Sequence, residues 1–595
     1  MGDYHIEDMY QGGYSSLNPN YNSLFTGYRI QANSLGTPSA PPGQQGDILT
    51  NLSKSISTGQ KVVELSLLNP EIVDSIPKQH MKEVGKMAKL VGVDITVHGP
   101  LVEASGATDR GYDELQRELA EKKILQALER SHELDSKGNI SVTFHTTNAA
   151  PGPIWKKEKD EKEEVLMMPV VNQETGQIGV VKKEEYYSPL INEKGEVEKE
   201  TYDVSKRLKV LNNTEWQDSI SKVEFHRENA ERIIKDVHPI FIGKYLQQSL
   251  GDKSVSLKPE ETEQVKKIYS AEAYIKEAER SVQTLFNKAY KYGDDKERDY
   301  LKEVSKQYSK ILNIKDGRDT IESHNPKIQS EALLFLEQSL ERLRPQIYKP
   351  AEEYTMQQSV QSFGNAAWES YKKFKGKSPV MNIENPPAGF GLSRAKDVKN
   401  MVEGAREQFV KRAVDKGMSK NDAKREAEKL IGATWDLGHI NQLRKFGFSG
   451  KDIIKEAEII KPYVKHVHLS DNFGAENTEL PPGMGNVDFK EVMKKLGKKG
   501  KEAKKIVEAF HWVQSQKSSP YDVSLQALGS PLYGMSMAPY WNQVAGLQQG
   551  YFSYGMMLPQ IHYETFRAGF SNLPAELGGQ RQGGQGGRMS GNPME

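Results

Sequence analysis

The sequence predicts an α/β chain: a closed (β/α)8 barrel of the TIM type, interrupted after its fourth strand by a large, mainly helical insertion. Three observations lead there. From about residue 27 to 155, short apolar runs alternate with charged amphipathic stretches, the rhythm of βαβ units in a parallel sheet. The same rhythm resumes at 378 with PVMNIE, after a long charged tract of helical pattern. The candidate strands also number eight, the count of such a barrel.

In order, the strands are Arg29–Asn33, Val62–Leu67, Asp94–His98, Ser141–His145, Val380–Glu384, Ala433–Asp436, Lys465–Leu469 and Ile506–Glu508. Helical stretches such as ELQRELAEKKILQALERSHEL fill the intervals. The expected first half of the barrel is 27–155, the insertion 156–377 and the second half 378–517. KKEKDEKEEV opens the insertion, and segments such as VKKIYSAEAYIKEAERSVQTLFNKAYKYG give it its helical pattern. Acids and bases are interleaved along it, which fits a solvated helical domain rather than a nucleic-acid-binding arm. Residues 1–26, rich in Tyr, Asn, Gly and Ser, read as a flexible arm. Residues 518–595, rich in Gly, Gln, Met and Tyr, read as an extension whose low-complexity end is disordered.

Composition narrows the chemistry. Among 595 residues, 81 Lys and Arg balance 81 Asp and Glu, so the chain is no polycation that binds nucleic acid by bulk charge. There is no cysteine, which removes disulfides, thiolate metal sites and thiol nucleophiles. Any metal must therefore be held by His, Asp and Glu. Mean hydropathy is −0.68, and no apolar run approaches the ~18 residues of a membrane span. The N-terminus has neither the basic nor the apolar region of a signal peptide. A soluble cytoplasmic protein, with no membrane partner, is the expectation.

The strand ends carry the candidate site. Strands three to eight close on His98, His145, Glu384, Asp436, His468 and Glu508. The C-terminal ends of barrel strands surround one mouth, so these six side chains should converge as ligands for a divalent metal. Imidazoles and carboxylates suit zinc first, with manganese, cobalt or magnesium as alternatives. His439, three residues after Asp436, is a further candidate ligand or substrate contact. His466 shares the parity of His468 and should sit one layer deeper. Asn385, Asp471 and Asn472 are polar mouth residues. Two chemistries fit: a metal cluster that activates water against a phosphodiester, or a single metal that polarises a sugar carbonyl while Glu384 and Glu508 move the proton.

With VHGP, TFH, NIEN, WDLGH, HVHLSDN, LPPGMGNVDF and IVEA in place, the sequence resembles the xylose isomerase-like TIM-barrel superfamily. That group includes the endonuclease IV family of abasic-site endonucleases and the sugar-phosphate isomerases and epimerases. The resemblance covers roughly 27–155 and 378–515. On the endonuclease pattern it implies one zinc on His98, His145 and a bridging Glu384, a second on Asp436, His468 and Glu508, and a third on His439. The third zinc would also need an Asp and a His before LPPG, where this chain has Asn477 and Glu479; Glu479 is kept as a candidate ligand. Leu101 replaces the aromatic that the endonucleases tend to have after the first histidine. On the epimerase pattern Glu384, Asp436, His468 and Glu508 suffice, and His439 contacts substrate. The balance of these implications favours metal-assisted phosphodiester hydrolysis, with isomerisation or epimerisation as the alternative. The implied partner is DNA or a small sugar or sugar phosphate. A degenerate barrel that acts as an assembly scaffold, self-associating through the insertion or tails, is a third possibility.

Overall fold

The computed structural model describes residues 26–529 apart from 41–45, 136, 159–161, 192–194, 196, 250–257, 315–319, 321 and 517–518. The expected arm up to residue 25 and the extension from 530 to 595 lie outside the described residues.

Eight parallel strands close into one barrel: β1 (Leu35–Pro38), β2 (Val62–Ser66), β3 (Asp94–His98), β4 (Ser141–His145), β5 (Val380–Glu384), β6 (Ile431–Asp436), β7 (Val464–His468) and β8 (Lys504–Ile506). Neighbours in sequence pair in register, and β1 closes the ring against β8 through Leu35 with Lys505 and Gly36 with Ile506. Two expected strands move. Arg29–Asn33 is not a strand; a 3-10 turn at Ala32–Ser34 leads into β1 at Leu35. LGTP reads as a turn because of its Gly and Pro, yet Gly36 is what lets β1 wedge between its neighbours. A Cβ there would stand 2.2 Å from the Val62 carbonyl oxygen. The eighth strand ends at Ile506, two residues before Glu508, which therefore lies on the loop just above the barrel.

Residues 146–379 lie between β4 and β5. They begin with antiparallel strands: Glu164–Asn172 pairs with Ile154–Lys156, Ile178–Lys182 and Tyr348–Pro350. An exposed hairpin follows (Glu184–Ile191 with Val197–Tyr202). Long helices come next, and Val204–Lys235 packs on Pro259–Tyr292 around a core of their own. The first buries Trp216, Ile220, Val223, Ala230 and Ile234; the second buries Ile268, Ala271, Ile275, Ala278, Val282 and Leu285. These spacings of three and four are those of a coiled-coil seam. Arg227 interrupts the seam and is neutralised by Glu337 at 2.7 Å and Glu231 at 2.8 Å.

The helix Ala351–Phe374, which the sequence reading assigns to the insertion, packs instead in the barrel's core. Phe363, Ala366, Ala367 and Trp368 join that core, between the helices Glu114–His132 and Ala395–Asp415. Its small face permits the approach: a Cβ on Gly364 would meet Gln408 Cβ at 2.5 Å. The charged residues at both its ends hide this in the sequence. The helix Tyr521–Ala527, read as extension, also belongs to the barrel: Ala527 and Leu528 carbonyls accept from Thr26 and Ile30 N–H groups. Among the described residues no helix is long and apolar enough to cross a membrane.

The placement of Gly36 gives a direct test of closure. Gly36→Ala forces β1 off Val62 and is expected to lower unfolding stability by about 1–3 kcal/mol, the usual cost of overpacking. Denaturant unfolding with an unchanged midpoint would mean that the ring does not close this tightly.

Candidate metal centre

The barrel lumen is built in polar layers. In the lower one, Glu64, Thr96, Thr143, Thr434 and His466 are all buried, and the Thr143 and Thr434 hydroxyls meet across the barrel at 2.8 Å. Above it come His98, His145, Glu384, Asp436 and His468, the last residues of β3 to β7. Period-two alternation along each strand sets these layers two residues apart, and His466 lies below His468 as its parity requires.

Glu384 stands between two groups of imidazoles. Its Oε1 is 2.6 Å from His468 Nδ1, and its Oε2 is 3.4 Å from both His98 Nε2 and His145 Nε2. Glu508 Oε1 is 3.3 Å from the same His468 Nδ1. Four groups thus have ligand atoms within 4.8 Å of one another: Glu64, His466 and His468; His98, His468 and Glu508; His98, His145 and Glu384; and the buried Glu384, Asp436, His468 and Glu508.

Neighbouring groups fix the orientation of several of these side chains. The Gly99 carbonyl lies 3.0 Å from His98 Nδ1, and the Asn385 carbonyl 2.9 Å from His439 Nδ1. A carbonyl accepts only, so each Nδ1 carries a hydrogen and each ring turns its Nε2 toward the mouth. Asp436 accepts from the His439 backbone N–H at 2.6 Å and from the Ser470 hydroxyl at 2.9 Å. Asn385 braces the Asp436 backbone through both its amide atoms.

Asp471 and Asn472 serve the loop rather than the mouth. The Asp471 carboxylate accepts from the backbone N–H groups of Asn472, Gly483, Gly485 and Val487, which folds LPPGMGNV back over the barrel end. Asn472 donates to the Gly438 carbonyl and accepts from Asn441.

Among the described residues His439 and Glu479, the candidates for a third centre, fall in none of these groups. The Asn477 amide lies 3.4 Å from His439 Nε2 and donates to Glu479 Oε1 at 3.0 Å, which occupies both would-be ligands. Glu479 is held in the left-handed region at φ 44, which a non-glycine residue rarely adopts.

Sequence reasoning missed Glu64. It is fully buried in β2, bonded to His466 Nε2 at 3.1 Å and to Thr96 Oγ1 at 3.1 Å, and 3.3 Å from His468 Nε2. The available signal was a carboxylate in the middle of the apolar run VVELSLL.

Charge balance bears on what the site could hold. The ion-pair partners of Glu64, Glu384, Asp436 and Glu508 among the described residues are all imidazoles. Burial alone would lower His98, yet Glu384, Glu508 and Glu64 outweigh it and push that ring up to about 9. Burial lifts Asp436 to about 6, with Glu508 and Glu384 adding to it against His439. Burial and the nearby Glu508 lift Glu479 to about 7. Burial takes His145 down to about 3 against the pull of Glu384, which leaves it a neutral ring. Glu384 Oε2 and His468 Nε2 are buried without a hydrogen-bond partner. Imidazole nitrogens and carboxylate oxygens that converge within 4.8 Å, with no Lys or Arg among the carboxylates' ion-pair partners in the described residues, fit a divalent cation.

Residues 419–526 match the model of the xylose isomerase-like TIM barrel family, so the resemblance drawn from the strand-end motifs holds over that span. Nothing among the curated proteins matches. Solved structures similar to the chain include a D-tagatose 3-epimerase-like protein, with TM-score 0.36 and 12% identity over 85% of this chain and 100% of that one. Another is a D-psicose 3-epimerase with D-tagatose from Clostridium cellulolyticum H10, with TM-score 0.37 and 9% identity over 84% and 98%. Likenesses at that level carry nothing about chemistry.

The loop after Glu384 gives a pH test. Glu352 accepts from the Leu392 N–H, and Leu392 sits at φ 56. Burial, with the like charge of Asp397 adding to it, lifts Glu352 to about 7. A buried acid with a raised pKa stabilises the fold while neutral. That contribution is full below the ordinary carboxylate range and is lost as pH rises through about 7. Glu352→Gln, neutral throughout, is expected to gain roughly 1–3 kcal/mol on the parent between pH 5 and 8. An identical difference at both pH values, read by denaturant unfolding, would contradict this.

Proposed function

We propose that the chain is a divalent-metal-dependent isomerase or epimerase acting on a small hydroxy-carbonyl substrate of the sugar or sugar-phosphate class. One observation carries the reading: Glu384, Asp436, His468 and Glu508 form a single buried ligand set, with Glu384 and Glu508 both facing His468 Nδ1 at 2.6 and 3.3 Å. A divalent cation held there would supply Lewis acidity toward a carbonyl and its neighbouring hydroxyl. The residues do the rest. Glu384 and Glu508 would share the proton transfer. One takes the proton from the carbon next to the carbonyl, and the other returns a proton to the opposite face or to the neighbouring carbon. His98 and His145, at the far oxygen of Glu384, are placed to bind a substrate hydroxyl and keep that oxygen oriented.

The endonuclease reading is the second choice. It is favoured by the His98, His145 and Glu384 group, which would hold a second metal with Glu384 as the bridge. Against it stands the third centre, whose candidates His439 and Glu479 fall in none of the ligand groups among the described residues.

The deciding experiment places the chelator-stripped chain, reloaded with Mn2+, Co2+ or Zn2+, in D2O with a panel of ketoses and their phosphates, and in a parallel tube with an abasic-site duplex. The reading predicts deuterium at the carbon next to the carbonyl, about one tightly bound metal per chain, and a loss of roughly 100-fold or more in Glu384→Gln and in Glu508→Gln. Duplex cleavage without sugar exchange, at two metals per chain, would establish the endonuclease instead. Silence in both tubes would favour a scaffold.

A further inference from the structure

We infer that Glu64 is a positioning residue: from β2 it holds the His468 ring so that Nδ1 faces Glu384, Asp436 and Glu508 while Nε2 faces away from them. The inference rests on the metal reading above and goes beyond it, because nothing in the strand-end pattern includes Glu64.

Glu64 is fully buried, and the imidazoles of His466 and His468 are its only ion-pair partners among the described residues. An isolated buried carboxylate is costly, so its position must be compensated. The Glu64 Oε2 atom accepts from His466 Nε2 and Thr96 Oγ1, each at 3.1 Å. Those two bonds fix the carboxylate plane and leave Oε1 directed at His468 Nε2, 3.3 Å away. The His466 ring packs edge-on against His468 at 5.1 Å and blocks rotation on that side.

Two buried atoms are then without hydrogen-bond partners, and they face each other: Glu64 Oε1 and His468 Nε2. Nδ1, on the other side of the ring, lies 2.6 Å from Glu384 Oε1. A cation at Nδ1 requires the lone pair there, so the hydrogen must sit on Nε2. The two unpaired atoms then become donor and acceptor. The resulting order, carboxylate, imidazole and metal, is the arrangement by which an outer carboxylate fixes the tautomer and raises the basicity of a metal-bound histidine. Glu64 lies on the Nε2 side of His468, away from Glu384 and Glu508, and so would act on a cation at Nδ1 through that ring.

The test compares the full-length chain with Glu64→Gln and Thr96→Val. Mn2+ is titrated calorimetrically into each metal-free protein, and the visible d–d absorption of each Co2+ form is recorded. Glu64→Gln is expected to weaken Mn2+ binding on the order of 10–100-fold and to shift the Co2+ bands. Thr96→Val keeps the carboxylate but loosens it, and should move both readouts the same way by less. Parent-like Mn2+ affinity and Co2+ bands in a folded Glu64→Gln would overturn the inference and leave Glu64 a packing residue. If Glu64→Gln does not fold, the same two readouts on Thr96→Val decide. A parent chain that binds no Mn2+ would overturn the metal reading itself, a result distinct from failure of Glu64 alone.

Discussion

The structure turns on a charge imbalance inside a closed barrel. Glu64, Glu384, Asp436 and Glu508 are buried together with only imidazoles to face them. Burying ionised carboxylates costs several kcal/mol each unless positive charge or good donors compensate. Among the described residues neither Lys nor Arg pairs with them. The chain supplies imidazoles, two of them oriented by backbone carbonyls. The candidate ligand groups gather at the C-terminal ends of the strands, where a divalent cation would offset this imbalance.

Much of this was legible in the sequence because a barrel strand that ends in a ligand leaves a local mark. An apolar run closed by His, Glu or Asp needs no knowledge of distant residues, and β3 to β7 end on the five residues expected of them. What was not legible depended on neighbours. Glu64 lies inside its run, where only the lumen facing it, with Thr96 and His466, explains a carboxylate. β1 carries turn residues because Val62 leaves room for nothing beyond a glycine at 36. The helix Ala351–Phe374 has charged ends, and its place in the barrel wall follows from contacts on both flanks.

The residues between β4 and β5 reach the rim of the mouth. The Lys157 N–H donates to the Phe446 carbonyl after β6, and the Tyr112 N–H after β3 donates to the Gly176 carbonyl at the first sheet's turn. Arg394, at the start of the helix after β5, pairs with Glu456 at 2.6 Å and Glu163 at 3.2 Å, and stacks between Trp155 and Phe448. The sheet that precedes the long helices is thus pinned to the loops after β3, β5 and β6. That sheet and the candidate ligand end of the barrel are joined by hydrogen bonds and an ion pair.

The most direct measurement is anomalous diffraction from a crystal of the full chain grown with Mn2+. A single strong peak within coordination distance of His468 Nδ1, Glu384, Asp436 and Glu508 is the predicted result. An empty map at that position, or a peak held by other residues, would contradict the account at its centre.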